Sequence, residues 1–167
     1  GVVTRFEIRR EVRNPITRNQ QVTMRLPEGA EIEVVNVHLA TAATDMRLWS
    51  SQSRALHRQN RDLRRKELSV VLQVLEQTAA FPSTPTIFGG DFNSGATDIV
   101  HRQLTRDFDD TFSQVGRGWG NTFHRRFPIH RIDHIYATRQ LQPLSCGVLV
   151  SKKTDHRIVI ADLRLRQ

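Results

Sequence analysis

Residues 86–94 constrain the fold more than any other stretch, because a β-prone run is followed there by two consecutive glycines and a pair of polar side chains. Residues 86–88 predict a β-strand, and the glycines allow the backbone to turn sharply at its end. Asp91 and Asn93 then lie two residues apart and point into the same space. A carboxylate can position or deprotonate a water and an amide can hold a phosphoryl oxygen, so the pair suits phosphate chemistry. The structural alternative is an Asx turn.

The chain has the length and charge of one strongly basic domain. Its 167 residues are enough to bury a core, so we expect residues 1–167 to form a single domain. Lysines and arginines number 25 and acidic residues 17, which leaves a net charge of +8. A field of this sign attracts polyanions, and nucleic acid is the obvious partner. A biased genomic base composition would produce the same excess of arginine.

Two further features limit the class of protein. No segment approaches the roughly 18 consecutive apolar residues of a transmembrane helix, so no membrane span is expected. Cys146, the single cysteine, lies in an apolar run and is expected to be a buried, unreactive thiol. The compartment stays open between cytoplasmic and exported.

The first forty residues predict three strands. Residues 2–9 and 21–26 alternate loosely around an Asn-Pro turn signal, which predicts a hairpin. Residues 31–39 become fully apolar towards their end, as a strand does when it enters a core. His38 would then lie at a strand end, where rigid scaffolds often carry catalytic groups. A buried structural histidine is the alternative.

A long helix is predicted next. Residues 41–53 lack periodicity and predict a loop over the site, whereas residues 53–79 repeat apolar side chains at helical spacing and predict a helix packed on a sheet. The apolar stripe comprises Leu56, Leu63, Leu68, Val71, Leu72, Leu75 and Ala79. Positive charge near a helix start opposes the helix dipole, so the arginines there indicate either a solvated face or a functional surface. They are Arg54, Arg58, Arg61, Arg64 and Arg65.

The middle of the chain carries an aromatic residue on a loop. Residues 98–106 predict a short helix, and residues 116–120 form a glycine-rich loop that contains Trp119. An aromatic beside a phosphate site can stack on a base or a sugar. It can equally close a small satellite core, and the sequence leaves both interpretations open.

The last third predicts a paired aspartate and histidine. Residues 131–136 alternate, which places Asp133 and His134 on opposite faces of a strand. An aspartate among apolar neighbours is costly to bury unless it has a partner. Residues 141–150 predict another strand, and His156 opens the last one. A hydrogen bond between Asp133 and His156 would satisfy both groups and fix the histidine tautomer.

Six polar side chains therefore lie at predicted strand ends, and their convergence is a better explanation than chance. They are His38, Asp91, Asn93, Asp133, Asp155 and His156. Two aspartates with an asparagine suit a hard divalent cation such as Mg²⁺. Histidine–aspartate pairs suit activation of a water or stabilisation of a pentavalent phosphorus.

These residues resemble the motifs of the endonuclease/exonuclease/phosphatase superfamily, whose members include DNase I-like nucleases, abasic-site endonucleases, inositol-polyphosphate phosphatases and neutral sphingomyelinases. The matching segments are VNVHL (35–39), GDFN (90–93), RIDHIY (131–136) and TDHR (154–157), in the order and at the spacing of the family. The resemblance implies a DNase I-like four-layer α/β sandwich that cleaves phosphoester bonds with Mg²⁺ or Mn²⁺.

The resemblance also implies a role for each matching residue. His156 would act as the base or as the histidine that contacts the phosphate, and Asp133 would orient it. Asp91 would serve the nucleophilic water or the leaving group. Asn93 and His38 would bind the scissile phosphate.

The chain departs from the family pattern before residue 34. The family's N-terminal half carries an asparagine on its first strand and a later glutamate that is the principal metal ligand, and neither motif is present here. We therefore expect this chain to lack much of that half. Asp155 would help to hold the metal, with weak affinity and with low or no activity for the chain alone. The exposed apolar face of a half-sandwich would favour self-association.

Two functions follow from these features. The first is metal-dependent hydrolysis of phosphoester bonds, as a nuclease, a phosphodiesterase or a phosphatase. The second is a non-catalytic, polyanion-binding module that retains the fold. Net charge favours nucleic acid as the substrate, but lipid and sugar phosphates stay open because no base-reading motif is present.

Overall fold

Two β-sheets and two α-helices build the fold in a computed structural model that describes residues 1–15, 17–41, 47, 49–78 and 81–166. The strands are β1 (Glu7–Asn14), β2 (Asn19–Arg25), β3 (Glu31–His38), β4 (Thr86–Asp91), β5 (Phe108–Asp110), β6 (Asp133–Thr138), β7 (Leu141–Val150) and β8 (Arg157–Leu165). The helices are α1 (Ser51–Thr78) and α2 (Thr111–Val115), with a 3₁₀ helix at Ile99–Gln103. The larger sheet has the order β1-β2-β3-β4-β6-β5, and β7 pairs with β8 in the smaller one.

The main core lies between the larger sheet and α1. Alternate residues of β3 face α1, and apolar side chains of both elements are almost completely buried there. This cluster comprises Val35, Val37, Leu39, Leu68, Val71, Leu75, Phe88, Phe92, Leu104, Phe108 and Tyr136. A smaller cluster around Val22, Met24 and Ile32 covers the opposite face. Each fully buried side chain of this size stabilises the fold by about 1.5–3 kcal/mol, so both faces hold the sheet in place.

One parallel strand pair determines where the polar strand ends meet. β3 and β4 run parallel, whereas the other neighbouring strands in the two sheets run antiparallel. A parallel pair needs a crossover connection, and α1 provides it. Because β3 and β4 end at the same edge of the sheet, His38 and Asp91 are brought side by side.

Gly90 is required by the close approach of β3. Its φ is +140°, a conformation that side chains with a Cβ rarely adopt. A Cβ on Gly90 would lie 2.0 Å from the Val37 carbonyl oxygen and 2.9 Å from the Val37 nitrogen. The glycine therefore lets β4 continue against β3 as far as Asp91.

The structure corrects the prediction that the strand at residue 86 ends at the two glycines. β4 runs through both of them to Asp91, and the sharp change of direction comes at Asn93, which has a φ of +49°. Asparagine tolerates this left-handed conformation better than most residues. β4 is longer than predicted because Gly90 avoids a clash with β3, and the chain does not turn at the glycines.

The hairpin and the final strands are confirmed, with one boundary corrected. β1 and β2 pair antiparallel, but β1 covers Glu7–Asn14 and not residues 2–9. The turn is short because the Asn14 side chain accepts a hydrogen bond from the Thr17 N–H, so pairing starts next to it. β7 has the predicted bounds, and Cys146 is buried in it as predicted.

The predicted helix is present, but its apolar stripe is only partly buried. α1 begins at Ser51, inside the predicted loop, and residues 42–46, 48 and 79 lie outside the described residues. Leu56 and Leu63 are exposed, whereas Leu68, Val71 and Leu75 are buried. In the N-terminal half of α1, the buried residues are Ser53 and Arg64 instead. The predicted short helix at 98–106 is a shorter 3₁₀ helix, capped by the Asp98 side chain.

The smaller sheet exposes apolar side chains. Leu144, Leu149, Ile158 and Ile160 are each about half exposed or more, and the pattern in β8 alternates strictly. An exposed apolar sheet face was expected from the sequence. Self-association through it stays a prediction. Within the described ranges, neither α-helix has the length and apolar character that a membrane crossing requires.

The Gly90→Ala substitution is expected to destabilise the protein by about 3 kcal/mol or more, because it combines a strained φ with overlap on the Val37 backbone. Chemical denaturation followed by circular dichroism measures this change. Gly147→Ala is the matched control, since Gly147 lies in β7 and an added Cβ there would have nothing within 4 Å. Equal stability of the two variants would contradict the close approach of β3 and β4.

Candidate active site

Three strand ends place polar side chains in one row at the edge of the larger sheet. The register pairs His38 with Asp91 across β3 and β4, and Asp91 with Asp133 across β4 and β6. The row continues beyond the strands, because the Leu39 N–H donates to the Asp91 carbonyl and the Phe92 N–H to the Ile132 carbonyl, each at 2.9 Å. Backbone pairing thus fixes the positions of three chemically useful side chains.

His156 reaches this row from the smaller sheet. It lies immediately before β8, and its Nδ1 is 2.9 Å from the Asp133 Oδ2. Phe123 forms a bridge to the His156 backbone, and the two rings are 5.1 Å apart. The hydrogen bond holds the Nδ1 proton, which leaves Nε2 as the atom that can accept a proton. The partnership predicted for Asp133 and His156 is therefore present in the structure.

Asp91 and Asn93 are held by hydrogen bonds to the backbone. The Asp91 Oδ1 accepts from the Asn93 N–H at 2.8 Å, which is the geometry of an Asx turn. The Asn93 Nδ2 donates to the Leu39 carbonyl at 3.0 Å, and Asn93 is almost fully buried. The Asx turn that the sequence offered as an alternative is therefore present, and this turn positions the Asp91 carboxylate.

Two pKa values at the site are shifted upward, each for a different reason. Burial raises the pKa of the Asp91 carboxyl above its ordinary value, and the charge of Asp133 adds to this effect. The Asn93 N–H and the nearby histidines offset part of it. Burial alone would lower the pKa of His156, but the Asp133 hydrogen bond and the surrounding aspartates outweigh burial and raise it.

Three of these side chains form a group with metal-ligand spacing. Asp91, Asp133 and His156 each offer one ligand atom, and the three atoms lie within 4.8 Å of one another. Two carboxylates and an imidazole are donors that Mg²⁺ or Mn²⁺ accepts. A cation there would also relieve the repulsion that raises the pKa of Asp91.

Of the predicted residues not yet placed, His38 and Asp155 lie at the margin of the group. His38 is exposed, and its Nε2 is 3.8 Å from the Asp91 Oδ2. Asp155 precedes His156, but its side chain is exposed and the Thr154 hydroxyl is 3.5 Å from its Oδ1. Neither belongs to the three-residue group. Metal binding by Asp155 stays a prediction.

A buried polar network beneath Asp91 and Asn93 was missed by the sequence reasoning. His101 Nε2 lies 3.0 Å from the Ser94 hydroxyl and 3.2 Å from its carbonyl, and His134 Nε2 lies 3.1 Å from the same carbonyl. Tyr136 Oη is 2.7 Å from His101 Nδ1. A carbonyl only accepts, so both rings carry their proton on Nε2, and the tyrosine hydroxyl donates to His101. Two neutral imidazoles therefore anchor the residue that follows Asn93.

Burial keeps both imidazoles uncharged. It lowers the pKa of His101, and together with the unfavourable interaction that His134 would have with a protonated His101 and with Arg131 it lowers the pKa of His134 to about 3. His134 Nδ1 has no hydrogen-bond partner among the described residues. The alternation in residues 131–136 placed His134 opposite Asp133, but only tertiary packing could show that its ring supports the turn.

Comparison with known proteins assigns the chain to a family. Residues 1–156 match the profile of the Endonuclease/Exonuclease/phosphatase family. The chain belongs to this family. Members of the Endonuclease/Exonuclease/phosphatase family hydrolyse phosphoester bonds and generally use divalent metals. A search of curated proteins found no match.

Solved structures of the same family share the fold. An endonuclease/exonuclease/phosphatase from Bacteroides vulgatus is 19% identical with a TM-score of 0.73, and the match covers 96% of this chain and 67% of that one. The human nocturnin catalytic domain with bound sulfate is 18% identical with a TM-score of 0.70 (96% and 60% covered). A mannosyl-6-phosphatase from Bacteroides thetaiotaomicron is 18% identical with a TM-score of 0.67 (88% and 57% covered).

These similarities confirm the DNase I-like α/β fold. Because all three identities are low, they assign no specific activity to this chain. The chain spans between 57% and 67% of the length of these three structures.

The free energy of unfolding is expected to fall as the pH drops below about 6.5. Both histidines are then protonated in the unfolded chain, whereas His134 and His101 stay neutral in the folded chain because their pKa values are lowered. For His134 alone the loss is about 1.4 kcal/mol per pH unit, or about 2 kcal/mol at pH 5. Chemical denaturation at a series of pH values measures it. His134→Gln retains an amide donor for the Ser94 carbonyl and does not titrate, so its stability is expected to depend less on pH in this range. An unchanged pH dependence would contradict the neutral state assigned to His134.

Proposed function

We propose that this chain is a metal-dependent hydrolase of phosphoester bonds, with its chemistry centred on Asp91, Asp133 and His156. The observation that supports this most directly is the 2.9 Å hydrogen bond between His156 Nδ1 and Asp133 Oδ2, beside the paired Asp91. A partly buried carboxylate that orients an imidazole next to a second carboxylate is an arrangement suited to activating water. Membership of the Endonuclease/Exonuclease/phosphatase family supports the same reaction class.

The proposed roles follow from which atoms are already engaged. Asp133 holds the Nδ1 side of His156, so the Nε2 side takes the proton of the attacking water as the new phosphorus–oxygen bond forms and the bond from phosphorus to the leaving oxygen breaks. Asp91 lies next in the row and serves this water or the leaving oxygen. His38, whose ring is exposed beside Asp91, contacts the scissile phosphate.

Asn93 contributes chiefly through position. Its Nδ2 already donates to the Leu39 carbonyl, so its remaining acceptor oxygen and its backbone are what it can offer to a substrate or a ligand. Its N–H fixes the Asp91 carboxylate. We therefore propose that Asn93 orients Asp91 and lies beside the bound phosphate.

The residues present fit a hard divalent cation. Asp91 and Asp133 offer two oxygen donors beside His156, whose Nε2 accepts the water proton in this proposal, and Asp155 is close enough in sequence to add a third carboxylate. A bound Mg²⁺ or Mn²⁺ would neutralise phosphate charge and polarise a phosphoryl oxygen. Because the donor set is small, we propose weak metal affinity and low activity for this chain alone.

Both sheets act as one domain in this proposal. The catalytic histidine precedes a strand of the smaller sheet, and its carboxylate partner begins a strand of the larger one. The site exists only when the two sheets are in place, so residues 1–167 constitute one functional unit.

His156→Ala and Asp91→Ala are each expected to lower metal-dependent hydrolysis of bis(p-nitrophenyl) phosphate by about 100-fold or more, since each removes a group that acts on the reacting oxygens. Release of p-nitrophenolate with Mg²⁺ or Mn²⁺ measures the rate. Addition of EDTA is expected to reduce the wild-type rate to that of the variants.

Glu28→Ala is the control for this experiment. Glu28 is exposed in the turn before β3, at the opposite end of that strand from His38, and its loss is expected to leave the rate unchanged. Equal background rates for the wild type, His156→Ala and Asp91→Ala would contradict the proposal. They would favour a non-catalytic module that binds polyanions.

A further inference from the structure

A cleft lined mainly by cations adjoins the candidate active site. Its volume is about 550 Å³, and its lining residues are Arg125, Arg126, Val150, Lys152 and Arg157. Four of the five carry a positive charge at neutral pH, and none carries a negative charge. Like charges repel one another, so a cleft of this composition is most favourable when an anion occupies it.

The cleft and the candidate active site are built from the same backbone segments. Arg157 directly follows His156, and its N–H donates to the Thr122 carbonyl at 2.8 Å. The Arg125 N–H donates to the Asp155 carbonyl at 2.6 Å. One side of the site and one wall of the cleft are therefore held together by the same backbone hydrogen bonds.

The cations are held in place without being neutralised. The Arg125 guanidinium donates to the Lys152 carbonyl at 2.8 Å, and the Arg157 Nε donates to the Arg125 carbonyl at 3.1 Å. Among the described residues, no salt bridge involves Arg125, Arg126, Lys152 or Arg157. Carbonyl groups orient the guanidinium groups and leave their charge available to a ligand.

Two exposed aromatic rings lie on the same connection between α2 and β6 as Arg125 and Arg126. Phe127 is 77% exposed and follows Arg126 directly, and Trp119 is 65% exposed. The Trp119 Nε1 donates to the Pro128 carbonyl at 2.9 Å, which ties the indole to the segment that carries Phe127. Exposing apolar rings to water is unfavourable, and a flat ligand that stacks on the two rings would remove that cost.

We propose that this cleft binds the non-reacting phosphates of a single-stranded nucleic acid while its bases stack on Phe127 and Trp119. The proposal names the substrate class of the site described above, and it rests on the proposed function. Four cations exceed what one phosphate monoester needs, and alternating cations and aromatic rings suit a chain of phosphates and bases. The indole N–H is already bonded to a carbonyl, so Trp119 offers a face for stacking and no donor for a lipid headgroup.

The test measures binding in the absence of turnover. The His156→Ala variant, with EDTA present, is titrated into a fluorescein-labelled oligothymidylate of about 12 nucleotides, and anisotropy is followed at several salt concentrations. We expect log Kd to depend linearly on log salt. Absence of binding at low salt would overturn the inference, whatever the outcome of the hydrolysis assay.

The cleft is tested by Arg126→Ala combined with Lys152→Ala. Arg126 and Lys152 are exposed, and their side-chain nitrogens donate none of the hydrogen bonds that the structure shows among its described residues. Their joint loss is expected to weaken binding about tenfold or more at low salt and to reduce the salt slope by about two.

The matched control removes the same charge elsewhere. Arg106→Ala with Arg139→Ala alters two exposed arginines next to Thr138, at the end of β6 opposite Asp133. This pair is expected to leave the salt slope nearly unchanged. Equal effects of the two double variants would show that net charge alone attracts the strand, which would overturn the cleft as a site.

Phe127→Ala tests stacking and separates a nucleic acid from a membrane. It is expected to weaken binding of the single strand about tenfold and to affect a duplex of the same length much less. Vesicles of phosphatidylcholine with 30 mol% phosphatidylserine, about 30% anionic lipid as in acidic leaflets, serve as the competing ligand. Tighter binding to vesicles than to the oligonucleotide, lost in Phe127→Ala, would overturn the inference in favour of a lipid surface.

The two hypotheses fail in different ways. Oligonucleotide binding that depends on the cleft, with no hydrolysis of any phosphodiester by the wild type, would retain the binding site and reject the proposed function. Metal-dependent hydrolysis of bis(p-nitrophenyl) phosphate, with no oligonucleotide binding, would retain the function and reject the nucleic acid.

Discussion

The pairing of β4 with β3 on one side and β6 on the other is the constraint on which the site depends. It sets His38, Asp91 and Asp133 in adjacent registers, and it can form only because Gly90 has no side chain to meet Val37. Backbone hydrogen bonds thereby bring two carboxylates together, although the like charges repel each other. The cost of that repulsion falls on the Asp91 carboxyl, whose pKa burial and Asp133 raise together.

Support for this arrangement comes from neutral groups below and charged groups beside it. The two imidazoles bonded to Ser94 hold the turn without adding charge, because burial keeps them unprotonated. Beside the site, the His156 ring donates a hydrogen bond to the Asp133 carboxylate and so links the smaller sheet to the larger one. The cationic cleft includes Arg157, the residue that follows His156.

Much of this could be predicted from the sequence, and the failures have physical causes. The partnership of Asp133 and His156 was predictable because a buried aspartate needs a partner. Gly90 was assigned to a turn, since its freedom in φ allows a turn or a close strand contact equally well. Arg64 was expected on a helix surface, yet it is buried and donates to the Ala40 carbonyl, a contact that depends on where α1 crosses the sheet.

The crossover between β3 and β4 has a consequence for folding. His38 and Asp91 are separated by 52 residues, 28 of them in α1, so this pairing closes a long loop, whereas the two hairpins form from neighbouring segments. Early compact states would contain hairpins and helix but not the paired ends of β3 and β4 that set His38 beside Asp91. A ligand at these strand ends would therefore bind only the folded state and shift the folding equilibrium towards that state by mass action.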